Sequence, residues 1–290
     1  MGRNMISINS LTKKINNKTV LNNISLSVAK GNVLGLLGLN GAGKSTTIKT
    51  ILGFIKPTSG SVEVGTNSIG YLPENPYYYD HLTLSELLDF ALKSSNTHVV
   101  SPKQRIKHYA QLVGMEECID KKIRMFSKGM VQRAGLAAAL IHEPELVVLD
   151  EPMSGLDPLG RKMVFNLVSK LKNDGVTVLF CSHILNDAER LCDNIAIMDK
   201  GEIILKLSQE ELMMTSSRVE VLLRKTSNLL VELEGYDYKE YESNLGVFVI
   251  SEKLSQFIET MNHKEFTVIA IRPSSGTLED IFTQVVGKGA

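Results

Sequence analysis

Gly38-Leu-Asn-Gly-Ala-Gly-Lys-Ser-Thr46 decides how this chain is read. It follows Val33-Leu-Gly-Leu-Leu37, a short apolar run that reads as a buried parallel strand. It precedes a helical pattern of Ile48, Ile51, Leu52 and Ile55. The stretch has the phosphate-loop spacing G-x-x-x-x-G-K-[ST] in the strand–loop–helix context that the pattern requires. Gly38, Gly41 and Gly43, with Asn40 and Ala42 between them, let backbone N–H groups turn inward around phosphate oxygens. The helix N-terminus adds its positive end. Lys44 is placed for the β- and γ-phosphates, and Ser45 for Mg²⁺ through its hydroxyl, with Thr46 beside it. A glycine-rich turn with a chance lysine is the plain alternative, and the flanking strand and helix speak against it. Gly53 falls within the helical pattern, at a cost of roughly 1 kcal/mol relative to alanine. Lys56-Pro-Thr-Ser-Gly60 ends that helix.

A second apolar run, Leu146-Val-Val-Leu149, leads into Asp150-Glu151-Pro152. In a parallel sheet, the end of such a strand faces the ligand crevice. Asp150 can hold Mg²⁺ through water, and Glu151 can orient or deprotonate a water attacking a γ-phosphate. Taken alone, these are surface acids after a core strand; beside a phosphate loop they are candidate catalytic groups. His183 ends the strand Val176–Cys181 at the matching height. Cys181-Ser-His183 is too sparse for zinc, so a polar contact to the γ-phosphate or a structural role remains.

The rest of the first 215 residues alternates between strands and helices, which is an α/β pattern. Residues 6–30 read as two strands around an Asn16-Asn17 turn. Residues 82–125 read as mostly helical, with Leu84, Leu87, Leu88 and Leu92 on one face and Ser85-Glu86 near the start. Helices follow at 130–141, 159–173 and Leu185–Leu191, and a strand at Ile195–Met198. After about residue 215 the pattern changes. Val219–Leu223, Leu229–Leu233, Val247–Ile250 and Phe266–Ile271 read as strands; Ser255–Met261 and Leu278–Val286 read as helices.

The 290 residues carry 32 basic and 32 acidic side chains, a net charge of zero. That balance argues against a broad nucleic-acid surface. Cys118, Cys181 and Cys192 form no ligand or redox motif, which favours a reducing compartment. The densest apolar stretch, Ala134–Ile141, stops at His142-Glu143. A spanning helix needs ~20 apolar residues. Met1–Ser7 has no apolar export segment, and Ile6 stands where an acylation motif wants Ser or Thr. The expectation is a protein that begins from the cytoplasm.

Taken together, these residues resemble the ATP-binding subunits of ABC transporters, in particular those of ABC-2-type exporters, over essentially the whole chain. Gly38–Thr46 matches Walker A and Leu146–Glu151 matches Walker B. Phe126-Ser-Lys-Gly-Met130, followed by Val131-Gln-Arg133, is similar to the ABC signature. Ser154-Gly-Leu-Asp157 is similar to the D-loop, and His183 to the switch histidine. The resemblance implies an α/β P-loop NTPase cassette with a mixed sheet over 1–215, including a helical subdomain at about 82–140. It implies a small C-terminal α+β domain over 216–290. It implies an ATPase using ATP and Mg²⁺, with Lys44, Glu151 and His183 in catalysis and Ser45, Glu74 and Asp150 around the metal. Ser127 and Gly129 would contact the γ-phosphate of a second subunit, and Asp157 would couple the two sites. The implied partners are an integral membrane permease and a second ATP-binding subunit, identical or homologous, on the cytoplasmic face of the membrane. No nucleic acid is expected.

Three positions depart from the common pattern of that family. Lys128 stands where many cassettes have glycine in the signature; Ser127 and Gly129 remain. Glu74, in Tyr71-Leu-Pro-Glu74, replaces a common glutamine; it keeps an oxygen ligand, and ABC-2-type members often show this form. The Asn75-Pro-Tyr-Tyr-Tyr79 segment reads either as a surface near the membrane partner or as a core-filling aromatic turn. Ile15 stands near the place where the family often stacks adenine on an aromatic ring, and no aromatic occurs from residue 1 to 53. Ile15 offers apolar contact without a ring face, so weak base discrimination and competition by GTP are expected. Gly60–Ile69 reads as a shortened turn region. A soluble ABC ATPase of translation or DNA repair is the alternative. Such translation factors usually carry two cassettes, and repair ATPases a coiled coil or zinc insertion; one phosphate loop and one signature occur here. A degenerate, non-hydrolytic module is opposed by Lys44, Asp150, Glu151 and His183.

Overall fold

A computed structural model describes residues 4–95, 97–211, 218–226, 233, 235–273, 278 and 282 of the chain. The first elements form a hairpin. β1 (Asn4–Ile15) and β2 (Lys18–Ala29) pair antiparallel. Asn16 and Asn17 between them hold φ of 48° and 63°, which short polar side chains tolerate and a tight hairpin requires. β3 (Val33–Leu37) enters the phosphate loop and α1 (Lys44–Ile51) leaves it. α1 stops at Ile51. Gly53 lies beyond the helix with φ 76°, so it belongs to the turn that ends α1 and is no defect inside it. Residues 60–69 include most of β4 (Ser59–Val64), which pairs antiparallel with β1.

β5 (Ile69–Leu72), β6 (Leu146–Asp150), β7 (Thr177–Ser182), β8 (Asn194–Asp199) and β9 (Glu202–Ser208) join β3 in a six-stranded sheet, in the order β5-β6-β7-β3-β8-β9. The β5-β6-β7-β3-β8 part is parallel. Every residue of β3, β6 and β7 is buried, as expected of strands covered on both faces. Ile6, Ile8, Leu11 and Leu21 of the hairpin pack with Leu36, Ile48, Val148 and Leu179 in one apolar core. The parallel register brings the C-terminal ends of β3, β6 and β7 to one side, with Asp150 opposite Cys181 and Leu37 opposite Ser182.

The helical region contains α2 (Leu84–Ser94), α3 (Pro102–Leu112) and α4 (Lys128–Leu140), with short 3-10 turns at Glu116–Cys118 and Ile123–Met125. α2 is capped by Thr83, and Glu86 closes the capping box. The Thr83 hydroxyl accepts from the Glu86 N–H at 3.2 Å, and the Glu86 carboxylate accepts from the Thr83 N–H at 2.7 Å. α5 (Pro158–Asn173) and α6 (Leu185–Leu191) flank the sheet. Among the described residues, no helix is long and apolar enough to cross a membrane.

Met1–Lys206 and Leu207–Ala290 form separate compact units. The division expected at 215 falls in residues 212–217, outside the described residues. In the second unit, β10 (Arg218–Arg224), β11 (Asp237–Glu240), β12 (Asn244–Ile250) and β13 (Val268–Pro273) form an antiparallel sheet in the order β11-β12-β10-β13. α7 (Leu254–His263) covers one face, burying Phe257 and Met261 against Val221, Val247 and Val249. Most of the strand expected at 229–233 and of the helix expected at 278–286 lies outside the described residues.

Candidate functional site: a phosphate loop facing an acidic turn

At the C-terminal end of the parallel strands lies a cavity of 320 Å³. It is lined by Val20, Leu39, Asn40, Gly41, Gly43, Lys44, Ser45, Thr46, Glu74, Asp150 and Glu151. One wall is the loop after β3. Gly43 is the N-cap of α1 at φ 110° and offers no side chain to its first-turn N–H groups. Those donors and the helix dipole therefore serve whatever anion enters. A side chain at Gly43 would also come within 2.8 Å of Leu21. Gly38 permits the closest approach: a Cβ there would press into the Met198 carbonyl. Lys44 is buried, and its Nζ donates to the carbonyls of Gly38 at 2.6 Å and Leu39 at 3.3 Å. A buried ammonium needs oxygen partners, and a phosphate offers full charge in place of carbonyl dipoles.

The opposite wall is acidic. Asp150 is 3% exposed. Its carboxyl is pushed up to about 6, first by burial and then by the charges of Glu74 and Glu151; Lys44 and a hydrogen bond with Ser45 pull it back. A hydroxyl and clustered carboxylates around one cavity are hard oxygen donors, and a divalent cation would offset the mutual repulsion that raises Asp150. The donor set of Ser45, Asp150 and Glu74 thus fits Mg²⁺.

Glu151 follows on a backbone that few non-glycine residues adopt, with φ 50°. Its N–H donates to the Cys181 carbonyl at 2.9 Å, and its carbonyl accepts from the Ser154 N–H at 3.0 Å. Its Oε1 lies 2.8 Å from His183 Nδ1. The Glu151 side chain is 10% exposed and the His183 side chain 54%. His183 does not line the cavity; it touches it only through Glu151, on the more exposed side of that carboxylate. Sequence had placed it at this strand end with its partner open; the structure pairs it with Glu151.

Not every expected residue meets at this cavity. Ile15 is 41% exposed at the end of β1 and does not line it; Val20 of β2 does, and went unmentioned in the sequence reading. A lone valine in an alternating strand carries no signal for a ligand. Ser127 and Gly129 do not line the cavity of their own chain. Ser127 is the N-cap of α4, so this helix begins at Lys128, earlier than the expected 130. The Ser127 hydroxyl accepts from the Met130 N–H at 3.3 Å. Asp157 caps α5, accepting from Gly160 N–H at 2.7 Å, and pairs with Arg133 at 3.2 Å. Gln132, two residues past the Phe126–Met130 segment, is buried against the Glu151 carbonyl. Its signal was an amide beside the otherwise apolar Ala134–Ile141 stretch.

The fold and the two walls define a P-loop nucleoside triphosphatase: a phosphate cradle after one parallel strand and a pair of acids, a candidate metal ligand and a candidate base, after another. The family model described as ABC transporter matches residues 21–154. The uncharacterized ABC transporter ATP-binding protein all4389 of Nostoc sp. is 38% identical, covering 93% of this chain and 89% of its own length. The bacitracin transport ATP-binding protein BcrA of Bacillus licheniformis is 34% identical, covering 98% of both chains. A solved ATP binding subunit of an ABC transporter superposes with a TM-score of 0.68 at 30% identity, covering 72% of this chain and 91% of that one. The chain belongs to the ATP-binding proteins of ABC transporters, and its activity is ATP hydrolysis coupled to transport.

Proposed function

We propose that this chain powers a separate ABC-2-type permease, in the direction of export, by closing head to tail with a second cassette over two ATP molecules. The observation that carries this reading is the position of the signature. The α4 N-terminus, capped by Ser127, is exposed and lies outside the phosphate cavity of its own chain. A helix N-terminus with no anion of its own to serve suits a phosphate presented by another subunit. Ser127 and Gly129 then contact the partner's γ-phosphate, and hydrolysis reopens the pair.

Within each site, the loop N–H groups and Lys44 hold the β- and γ-phosphates. Ser45, Asp150 and Glu74 hold Mg²⁺, which when bound screens charge on the phosphate oxygens. Glu151 takes a proton from the attacking water as its oxygen bonds to the γ-phosphorus and the bond to the ADP oxygen breaks. His183 holds the Glu151 carboxylate and turns its other ring nitrogen to the γ-phosphate when nucleotide is bound. The exposed Tyr77 and Tyr79 and the helical region at 82–140 form the face toward the permease. The resemblance to BcrA, named for bacitracin transport, supports a transport role, and cargo recognition falls to the permease. The unit after Lys206 acts as an accessory domain. This arrangement places the chain on the cytoplasmic face of the membrane.

Two measurements test this. Size-exclusion chromatography of Glu151→Gln with Mg²⁺ and ATP is expected to show a stable dimer that Ser127→Arg in the same chain abolishes. A dimer indifferent to Ser127→Arg sinks the head-to-tail arrangement. Purification of the tagged chain from solubilised membranes is expected to bring down a polytopic partner. Recovery with ribosomes or DNA instead favours the soluble alternative.

A further inference from the structure

On the face of α4 that meets the acidic turn, Gln132 is 1% exposed. Its Nε2 donates to the Glu151 carbonyl at 3.2 Å, while its Oε1 has no hydrogen-bond partner. The carbonyl it holds belongs to the residue at φ 50°. A side-chain-bearing residue stays in that region only where its surroundings over-determine it. The other restraints on Glu151 come from β7, from His183 just beyond it, and from the turn itself. Among the described residues, Gln132 is the one on α4 that hydrogen-bonds Glu151. The same helix is fastened to the loop at two more points. Arg133 pairs with Asp157 at 3.2 Å, and Gly129 approaches so closely that a Cβ there would lie 2.9 Å from the Gly155 carbonyl oxygen.

We propose that Gln132 is a positioning residue for hydrolysis. Its amide holds the Glu151 peptide in the left-handed conformation that aims the carboxylate, and it ties that conformation to α4. This rests on the reading of Glu151 as the base. The N-terminus of α4 is the signature, so a displacement of the helix on meeting the partner's nucleotide is transmitted to the base of its own site.

Gln132→Met tests the idea cleanly. Methionine keeps the length and volume, removes the donor, and also removes the unpartnered oxygen. The loss of one bond is offset by relief of one buried unsatisfied group, so folding stability is expected to change little. The expected result is a fall in kcat of about 10- to 100-fold, the scale for a catalytic group displaced by about 1 Å. The KM for ATP and the melting temperature stay near the parent values. An unchanged kcat in the folded variant overturns the proposal. So does a loss of ATP affinity that parallels a lowered melting temperature, because that marks a packing role. Gln132→Leu repeats the test with a second apolar shape, and failure of both variants to fold assigns Gln132 to packing. Glu151→Gln is assayed alongside. If it hydrolyses ATP at the parent rate, the base reading falls and takes the proposal with it. If it is inactive while Gln132→Met turns over normally, the positioning role alone falls.

Discussion

Gly43 and Glu151 both hold positive φ, 110° and 50°, beyond the C-terminal ends of β3 and β6, two parallel strands with β7 between them, yet they reach it by opposite means. In the loop after β3 the backbone is free to bend because no side chain opposes it. In the turn after β6 a carboxylate must be carried through the same region, and the surroundings hold it there: Cys181, Ser154, His183 and Gln132 all bond to Glu151. The phosphate loop therefore binds with main chain that costs little to shape. The acidic turn acts with a side chain whose placement depends on several other elements. Binding is expected to be locally encoded and robust, and hydrolysis to be distributed and fragile.

The largest expected effect separates those two properties. Glu151→Gln removes the proton acceptor and leaves the loop intact, so turnover is expected to fall about 10²- to 10⁴-fold with ATP affinity retained. Steady-state hydrolysis and equilibrium nucleotide binding measure the two sides. A variant that loses both erases the division between the walls.

Next in size is a pH effect confined to the acidic wall. The Asp150 carboxyl sits at about 6 when folded against a usual 3.8. The native state thus binds more protons than the unfolded chain across that window, and stability falls as pH rises through it. The difference amounts to about 3 kcal/mol. Asp150→Asn does not titrate. In EDTA, its advantage over the parent is expected to grow from near zero below pH ~4 to about 3 kcal/mol above pH ~7, read by chemical denaturation. Mg²⁺ with nucleotide is expected to stabilise the parent more than the variant. A stability difference flat across pH removes the electrostatic account of this wall.

This contrast also explains what could be read from sequence. The loop was legible because its conformational and chemical demands select residue types, glycine at the tight positions and Lys44-Ser45 at the phosphates and metal. The three buried strands were legible because they are continuous apolar runs. The acids Asp150 and Glu151 were visible, but the tie from Gln132 to the Glu151 carbonyl was not, since it joins residues 19 positions apart. Gly53 was misplaced because a glycine just past a helix and one inside its last turn look alike in sequence. β11, Asp-Tyr-Lys-Glu, was missed because an exposed strand of polar residues has no apolar alternation to reveal it. Ile15 was chosen by analogy of position, and the hairpin register puts Val20, not Ile15, at the cavity wall.

Lys44→Ala probes the loop by its only charged member. Charge-assisted hydrogen bonds contribute about 1.5–3 kcal/mol, so ATP affinity is expected to weaken by about 10- to 100-fold. The structure adds a second consequence. Lys44 closes the loop on itself through the Gly38 and Leu39 carbonyls, so its removal is also expected to loosen residues 38–43 in the nucleotide-free protein. Hydrogen exchange of the loop amides checks that directly. Unchanged exchange would make Lys44 purely a phosphate ligand.

The smallest expected effect concerns the base. Val20 and Leu39 are the large apolar side chains lining the cavity, and no aromatic ring is among its lining residues. Purine selectivity then rests on apolar contact alone, so ATP and GTP are expected to bind within about 100-fold of each other, as a pocket without base-directed hydrogen bonds discriminates weakly. Ile15→Tyr supplies the missing ring face at an exposed position, where a new side chain displaces nothing. Ile15 lies outside the cavity wall, so if the base extends to the end of β1 an aromatic stack there, about 0.5–1.5 kcal/mol, tightens both nucleotides about 2- to 10-fold with their ratio little changed. If Ile15→Tyr changes neither affinity while Val20→Ala weakens both, the base lies against β2 and Ile15 has no part in it. If the parent already prefers ATP by more than 100-fold, a base-reading group lies outside the cavity walls, and recognition at this end of the sheet is as distributed as catalysis.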